Sequence, residues 1–217
     1  MQPRFAFFDV DHTLTRHSTG RRFAFLGART GIFPPSSLIT MVFYYFCYRL
    51  GFMPLTNLSR SFPFLKGQSL STLKALAADT FEGWIKKDIY PEAVELLRTL
   101  QSQGTRIILA SSSLDLLIQP LAEYLEIEDY ISSSLEFFNQ VSTGNLLGFP
   151  AFGDEKKRFV LDFLKEKHGK PEECSFYTDS ITDLPLLEIV GYPVGVNPDP
   201  RLRRICKKRG WPILHFR

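Results

Sequence analysis

The sequence has few cysteines, and they lie far apart. The three in the chain are Cys47, Cys174 and Cys206, and no CxxC pair occurs among its 217 residues. An odd number of scattered cysteines argues against a disulfide framework and against a zinc site built from cysteine pairs. No signal peptide is visible, because the first apolar stretch is only a few residues long. We therefore expect a cytoplasmic protein.

A long apolar run and a strong charge imbalance are also missing. The most apolar segment, residues 38–53, contains Arg49 and is shorter than the about 20 residues that span a membrane. We expect a buried or partner-facing helix there, with peripheral contact to lipid as the open alternative. The formal net charge of +3 gives no argument for a nucleic-acid partner.

Short apolar runs, typical of buried strands, alternate with amphipathic helical patterns along the chain. The predicted strands are residues 4–8, 105–110, 129–133, 175–178, 192–196 and 212–216. The predicted helices are residues 70–85, 90–103, 115–125 and 156–168, and residues 137–152 suit a small β-hairpin. This alternation predicts an α/β fold with a Rossmann-like parallel sheet and helices on both of its faces.

One long segment interrupts the alternation directly after the first strand. Residues 16–88 contain helical patterns separated by prolines and no convincing strand. An insertion at this point lies above the carboxyl ends of the strands, where open α/β sheets bind ligands. We therefore predict a core of residues 1–15 and 89–217 and a helical cap of residues 16–88, called the cap segment below.

Six polar residues stand where predicted strands end or a predicted helix begins: Asp9, Asp11, Ser111, Lys156, Asp179 and Asp183. Because the carboxyl ends of parallel strands meet at one edge of a sheet, these side chains are expected to cluster. Four acids in one site need a cation, and carboxylates without histidine or cysteine favour Mg²⁺. A carboxylate can attack phosphorus, a second acid can protonate the leaving oxygen, and lysine and hydroxyl groups can hold phosphoryl oxygens.

Four stretches occur in a fixed order: DVDHTLT, ILASSS, GDEK and YTDSITDLPLLE. On these motifs the chain resembles the haloacid dehalogenase-like (HAD) phosphatases, and within them subfamily IB, which includes phosphoserine phosphatase. The resemblance covers nearly the whole chain outside the cap segment. It implies the HAD fold with a C1-type helical cap, and Mg²⁺-dependent hydrolysis of a phosphomonoester through an aspartyl-phosphate intermediate.

The resemblance also implies roles for the acids. Asp9 would be the nucleophile and a metal ligand. Asp11 would be the general acid and base, with its main-chain carbonyl on the metal. Asp179 would be the third protein ligand, and Asp183 would orient metal-bound water.

The remaining motif residues would bind the phosphoryl group. Ser111 and Ser112 would do so from the second motif, and Lys156 from the third. Lys157 is the alternative to Lys156, because only the frame of GDEK favours the first of the two lysines.

The cap segment departs from the phosphoserine phosphatases in one respect. Those enzymes carry an acid shortly after the first motif that can pair with the substrate's amine, and Ser18 occupies the equivalent position here. No Asp or Glu occurs between Asp11 and Asp79. We therefore expect a small anionic or amphiphilic phosphate other than phosphoserine, with His17, Ser18 and Arg60 as candidate specificity residues. Transfer to an acceptor other than water and a low-turnover regulatory module remain as alternatives.

Overall fold

The computed structural model describes residues 2–39 and 61–217, so residues 40–53 of the apolar segment lie outside the described part. Within it, strands form a six-stranded sheet and a separate two-stranded sheet. The strands are β1 (Phe5–Phe8), β2 (Arg106–Leu114), β3 (Asp129–Ser133), β4 (Leu135–Phe138), β5 (Val141–Leu146), β6 (Cys174–Thr178), β7 (Tyr192–Val196) and β8 (Ile213–Leu214).

All neighbouring strands of the larger sheet are parallel, in the order β3-β2-β1-β6-β7-β8. The predicted parallel α/β fold is therefore confirmed. Strand β1 lies between β2 and β6, so three neighbouring strands bring three of the four predicted site motifs to one edge of the sheet.

Helices cover the sheet and build the described part of the cap segment. They are α1 (Thr19–Arg29), α2 (Leu70–Thr80), α3 (Pro91–Ser102), α4 (Asp115–Tyr124), α5 (Asp154–Glu166), α6 (Leu184–Leu187) and α7 (Pro200–Arg209). A π-helical turn at Phe81–Ile85 and a short helix at Lys86–Asp88 continue α2. None of the helices described is long and apolar enough to cross a membrane.

Strand β1 shows why the sheet is buried on both faces. All of its residues are buried. Phe5 and Phe7 belong to one hydrophobic cluster, and Ala6 and Phe8 belong to the cluster on the other face. Side chains alternate between the faces of a strand, so an uninterrupted apolar run is what a two-sided core requires.

Four boundaries differ from the predictions. Strand β2 continues through Ser111 to Leu114, because the chain beyond Ala110 still pairs with β3 after a shift in register. Helix α5 begins at Asp154, so Lys156 lies inside its first turn and does not open it. Strand β8 is only two residues long. The predicted hairpin is confirmed as β4 and β5, but it begins before Phe137.

The chain leaves the sheet for the cap segment and returns at neighbouring positions. The N–H of Arg16 donates to the carbonyl of Asp88 at 2.8 Å, and the N–H of Tyr90 donates to the carbonyl of Leu14 at 3.0 Å. Apolar residues of the cap segment belong to the same hydrophobic cluster as one face of the sheet. Helices α1 and α2 therefore pack directly on the core and do not enclose a separate interior of their own among the described residues.

Two glycines of α1 test how tightly this helix packs. A Cβ at Gly27 would overlap the ring of Phe33, which is buried, whereas a Cβ at Gly20 would meet only Ser18 Oγ, at an ordinary contact distance of 4.0 Å. We expect Gly27→Ala to lower the free energy of unfolding by about 1–3 kcal/mol, because a close-packed ring cannot move aside freely. The matched change Gly20→Ala should raise it by roughly 0.5–1 kcal/mol through helix propensity. Urea unfolding of both variants measures this, and equal effects would contradict the packing described.

Candidate active site

The first motif forms a tight turn at the end of β1. The N–H groups of Thr13, Leu14 and Thr15 all donate to the carbonyl of Val10, at 2.9–3.2 Å. His12 has a φ of 64°, a left-handed conformation that non-glycine residues seldom adopt. The chain therefore reverses within a few residues of the strand, and the carboxylates of the motif lie at the sheet edge.

A buried lysine lies between two carboxylates. The Nζ of Lys156 donates to Asp9 Oδ1 at 2.8 Å and to Asp183 Oδ2 at 2.9 Å. Only 2% of Lys156 is exposed. Lys157, the alternative, is half-buried and forms no ion pair within the described ranges. The structure thus places Lys156 in the cluster, because the first turn of α5 directs this residue toward the sheet edge.

The cluster contains more carboxylate than one lysine can neutralise. Burial raises the pKa of Asp9 to about 7, helped by the charge of Asp183 and opposed by Lys156. Burial, Asp9 and Asp183 raise the pKa of Asp179 to about 8. Burial by itself lowers the pKa of Lys156, but Asp183 and Asp9 outweigh that effect and hold it above its ordinary value. A further positive charge would therefore stabilise the ionised carboxylates.

Asp183 is buried and only partly satisfied. Its Oδ2 accepts from Lys156 and, at 2.7 Å, from the hydroxyl of Thr178. Its Oδ1 is buried without a hydrogen-bond partner in the described part of the chain. A buried carboxylate oxygen without a donor is costly, so this atom fits a site that holds a cation or an ordered water.

Asp179 follows β6 and faces the first motif. Its N–H donates to the hydroxyl of Thr13 at 3.0 Å, and that hydroxyl lies 3.4 Å from Asp179 Oδ1. Its carbonyl accepts from the N–H of Asp199, the N-cap of α7. The third predicted acid is therefore fixed beside Asp9 by contacts on both sides.

No three Asp, Glu, His or Cys side chains within residues 2–39 and 61–217 are arranged as a complete metal site. The predicted ligands are only two carboxylates, Asp9 and Asp179, together with the carbonyl of Asp11. The raised pKa values of the two carboxyls and the unpaired Oδ1 of Asp183 are what a carboxylate site for a hard cation would show. The residues present therefore fit the predicted Mg²⁺.

Asp11 points toward the cap segment and not toward Lys156. Ser18 Oγ donates to Asp11 Oδ2 at 2.8 Å, and both the N–H and the hydroxyl of Thr19 donate to Oδ1 at 2.9 and 2.8 Å. Ser113 Oγ lies 3.3 Å from Oδ2. The sequence singled out Ser18 but gave no signal for Thr19 or Ser113, because hydroxyl side chains are common and these contacts join distant segments.

The serines at the end of β2 differ in exposure. Ser111 is buried, and its Oγ accepts from the N–H of Ser113 at 3.1 Å. The side chain of Ser112 is exposed, while its carbonyl accepts from the hydroxyl of Ser133. Because Ser111 Oγ already accepts a hydrogen bond, its own proton is available to donate to a ligand.

His17 is the other candidate of the cap segment that the structure describes, and it contacts Asp88. His17 Nδ1 lies 3.0 Å from Asp88, and Arg22 also pairs with Asp88, at 2.9 Å. His17 therefore takes part in a contact between the two ends of the cap segment. Arg60 lies outside the described residues.

Comparison with known proteins places this geometry in a family. A model of the haloacid dehalogenase-like hydrolases matches residues 6–188, which include all the motif residues named above. The chain is 28% identical over 231 residues to phosphoserine phosphatase SerB1 of Mycobacterium tuberculosis, covering 98% of this chain and 70% of that protein. It is 27% identical over 215 residues to the "inhibition of morphological differentiation protein" of Streptomyces azureus, covering 97% and 78%.

A solved structure is also similar over its full length. A crystal structure of a protein of unknown function from Bordetella pertussis Tohama I matches with a TM-score of 0.88 and 26% identity, covering 99% of both chains. Sequence motifs, fold and relatives agree. The chain belongs to the haloacid dehalogenase-like hydrolase family, and it is a phosphatase of that family.

Proposed function

We propose that this phosphatase hydrolyses a small phosphomonoester with Mg²⁺, through an aspartyl phosphate on Asp9. The observation that carries the proposal is the buried contact of Lys156 with both Asp9 and Asp183. Lys156 binds Asp9 Oδ1, and no donor from the described residues binds Oδ2. Oδ2 is then the atom available to attack phosphorus.

The first step forms a bond between Asp9 Oδ2 and phosphorus and breaks the bond from phosphorus to the ester oxygen. Asp11 gives a proton to that oxygen, which leaves as an alcohol. In the second step water attacks phosphorus, Asp11 takes its proton, and the Asp9–phosphorus bond breaks to release inorganic phosphate. Asp11 is thus ready for the next cycle.

Three groups at the sheet edge would hold the phosphoryl oxygens during these steps. Lys156 provides an ammonium group, and Ser111 provides a buried hydroxyl with a free proton. Ser112, exposed at the same end of β2, would add a second hydroxyl. Fixed donors that face the transferred group stabilise the charge that develops on it.

The donor set for Mg²⁺ would be the carboxylates of Asp9 and Asp179 and the carbonyl of Asp11, with Asp183 orienting bound water. When bound, the cation supplies positive charge that offsets the carboxylates and the phosphoryl oxygens. The raised pKa values of Asp9 and Asp179 support this assignment, because burial and mutual repulsion disfavour the ionised carboxylates and a bound cation would hold both ionised as ligands.

The substrate class follows from the cap segment, which we propose as a unit of residues 16–88 above a core of residues 1–15 and 89–217. Two relatives are named phosphoserine phosphatases. Here Ser18 stands where such enzymes carry an acid, and its hydroxyl is bound to Asp11. An amine would lack a charged partner at this position, so we propose an anionic or amphiphilic phosphate, with peripheral lipid contact through the apolar segment.

Buried free thiols at Cys174 and Cys206 support a cytoplasmic location.

Replacing the nucleophile tests the mechanism. Asp9→Asn should lower kcat for p-nitrophenyl phosphate on the order of 10³-fold or more, because the amide cannot form the intermediate. Circular dichroism should show an intact fold. The matched control Asp162→Asn, on the exposed side of α5, should keep full activity. An Asp9→Asn enzyme with substantial turnover would exclude Asp9 as nucleophile.

Removing the metal tests the cofactor separately. Dialysis against EDTA should abolish hydrolysis, and added Mg²⁺ should restore it. Excess Mg²⁺ should also raise the melting temperature, because a ligand that binds only the folded state stabilises it. Asp179→Asn should lose this thermal shift, whereas Asp162→Asn should keep it. Activity that persists in chelator would contradict the metal assignment.

The two neighbouring lysines form a matched pair. Lys156→Met leaves Asp9 and Asp183 buried without their shared cation, so we expect a loss of about 3–5 kcal/mol in the free energy of unfolding at neutral pH, together with loss of activity. Lys157→Met should change stability by less than about 0.5 kcal/mol and leave turnover intact. Urea unfolding and steady-state assays measure both. Equal effects of the two changes would refute the role given to Lys156.

A further inference from the structure

The carboxylate of Asp11 is fixed on both of its oxygens. Oδ1 accepts from the N–H and from the hydroxyl of Thr19, at 2.9 and 2.8 Å. Oδ2 accepts from Ser18 Oγ at 2.8 Å and lies 3.3 Å from Ser113 Oγ. A carboxylate with donors on both oxygens has its rotation about the Cβ–Cγ bond restrained.

The supporting hydroxyls form a small network between two segments. Thr19 Oγ1 lies 2.7 Å from Ser113 Oγ, so the first residue of α1 contacts the end of β2. Only 1% of Thr19 is exposed. Helix capping does not explain its side chain, because Ser18 already accepts from the N–H of Arg21 as the N-cap. The Thr19 hydroxyl is therefore committed to Asp11 and Ser113.

We propose that Thr19 and Ser113 are positioning residues that hold Asp11 in the orientation in which it exchanges protons with the leaving group. The inference rests on the function proposed above, in which Asp11 is the general acid and base. It adds two residues that the four sequence motifs do not assign. Neither touches the substrate; both act through Asp11.

The donor types determine which oxygen of Asp11 carries the proton. The N–H of Thr19 can only donate, so Oδ1 remains an acceptor whatever the protonation of Asp11. The hydroxyls of Ser18 and Ser113 can either donate or accept. They can therefore reorient when Oδ2 gains or loses a proton, so the network assigns the transferred proton to Oδ2.

A purely structural role of Thr19 predicts a different result from a role in positioning Asp11. If Thr19 only joined α1 to the sheet, its loss would reduce the amount of folded enzyme and would affect all substrates equally. If it positions the acid, its loss should matter most where the leaving oxygen needs a proton. Benzyl phosphate releases a weakly acidic alcohol, whereas p-nitrophenyl phosphate releases a stable phenolate of similar size.

The test compares kcat/KM for these two substrates in Thr19→Val, which keeps the shape and removes the hydroxyl. This parameter reports the steps up to transfer of the phosphoryl group to Asp9. We expect a loss of roughly tenfold or more on benzyl phosphate, a part of what general acid catalysis contributes. The loss on p-nitrophenyl phosphate should be several times smaller. Ser113→Ala should shift the ratio in the same direction.

Two control variants complete the design. Thr19→Ser keeps the hydroxyl and should restore the ratio of the two kcat/KM values. Thr30→Val makes the same chemical change at the exposed C-cap of α1 and should leave the ratio unaltered. The ratio does not depend on the fraction of folded enzyme, so a partly unstable variant still gives an answer.

The outcomes separate this inference from the proposed function. Equal losses on both substrates, or no loss, would overturn the positioning role while the phosphatase mechanism stands. If the Asp11→Asn variant instead hydrolyses benzyl phosphate as well as the wild type, Asp11 is not the acid, and the inference fails with it.

Discussion

The site depends on one interaction, the buried contact of the Lys156 ammonium group with the carboxylates of Asp9 and Asp183. It joins the turn after β1, the start of α5 and the loop after β6, so three distant parts of the chain must be in place for it to form. Taking ions out of water costs several kcal/mol for each ion before their attraction is counted. Such a cluster is a poor way to stabilise a fold, and its cost is consistent with a role in catalysis.

The sheet provides the rigidity that this contact needs. Strand β1 is central, is paired on both edges and contributes to the hydrophobic clusters on both faces. Asp9 follows it directly, and its N–H donates to the carbonyl of Tyr177 in β6. Because β2 and β6 flank β1, their ends bring Ser111 and Asp179 to the same edge. A catalytic group is held best by elements whose own positions are determined by packing.

The contacts of Asp11 connect the core with the cap segment. Ser18, where phosphoserine phosphatases carry an acid, binds Asp11 here, and Thr19 continues the same contact. The missing acid is thus replaced by a hydroxyl that donates to Asp11. Movement of α1 would change the surroundings of Asp11, because Ser18 and Thr19 lie at the start of this helix.

The sequence alone determined the fold class and the order of the strands along the chain, and it predicted the acids of the site, but it did not predict helices α6 and α7. Apolar periodicity reflects burial on one or two faces, and parallel strands share one edge for their carboxyl ends.

The sequence could not choose between Lys156 and Lys157, because that choice depends on how α5 is rotated against the sheet. It also placed Ser111 after β2, whereas pairing with β3 extends that strand. Thr19 and Ser113 meet only in the folded chain, 94 positions apart. Local sequence patterns indicate which residues are buried and where turns occur. Contacts between hydroxyl groups that are distant in the chain depend on packing, so only the tertiary structure decided them.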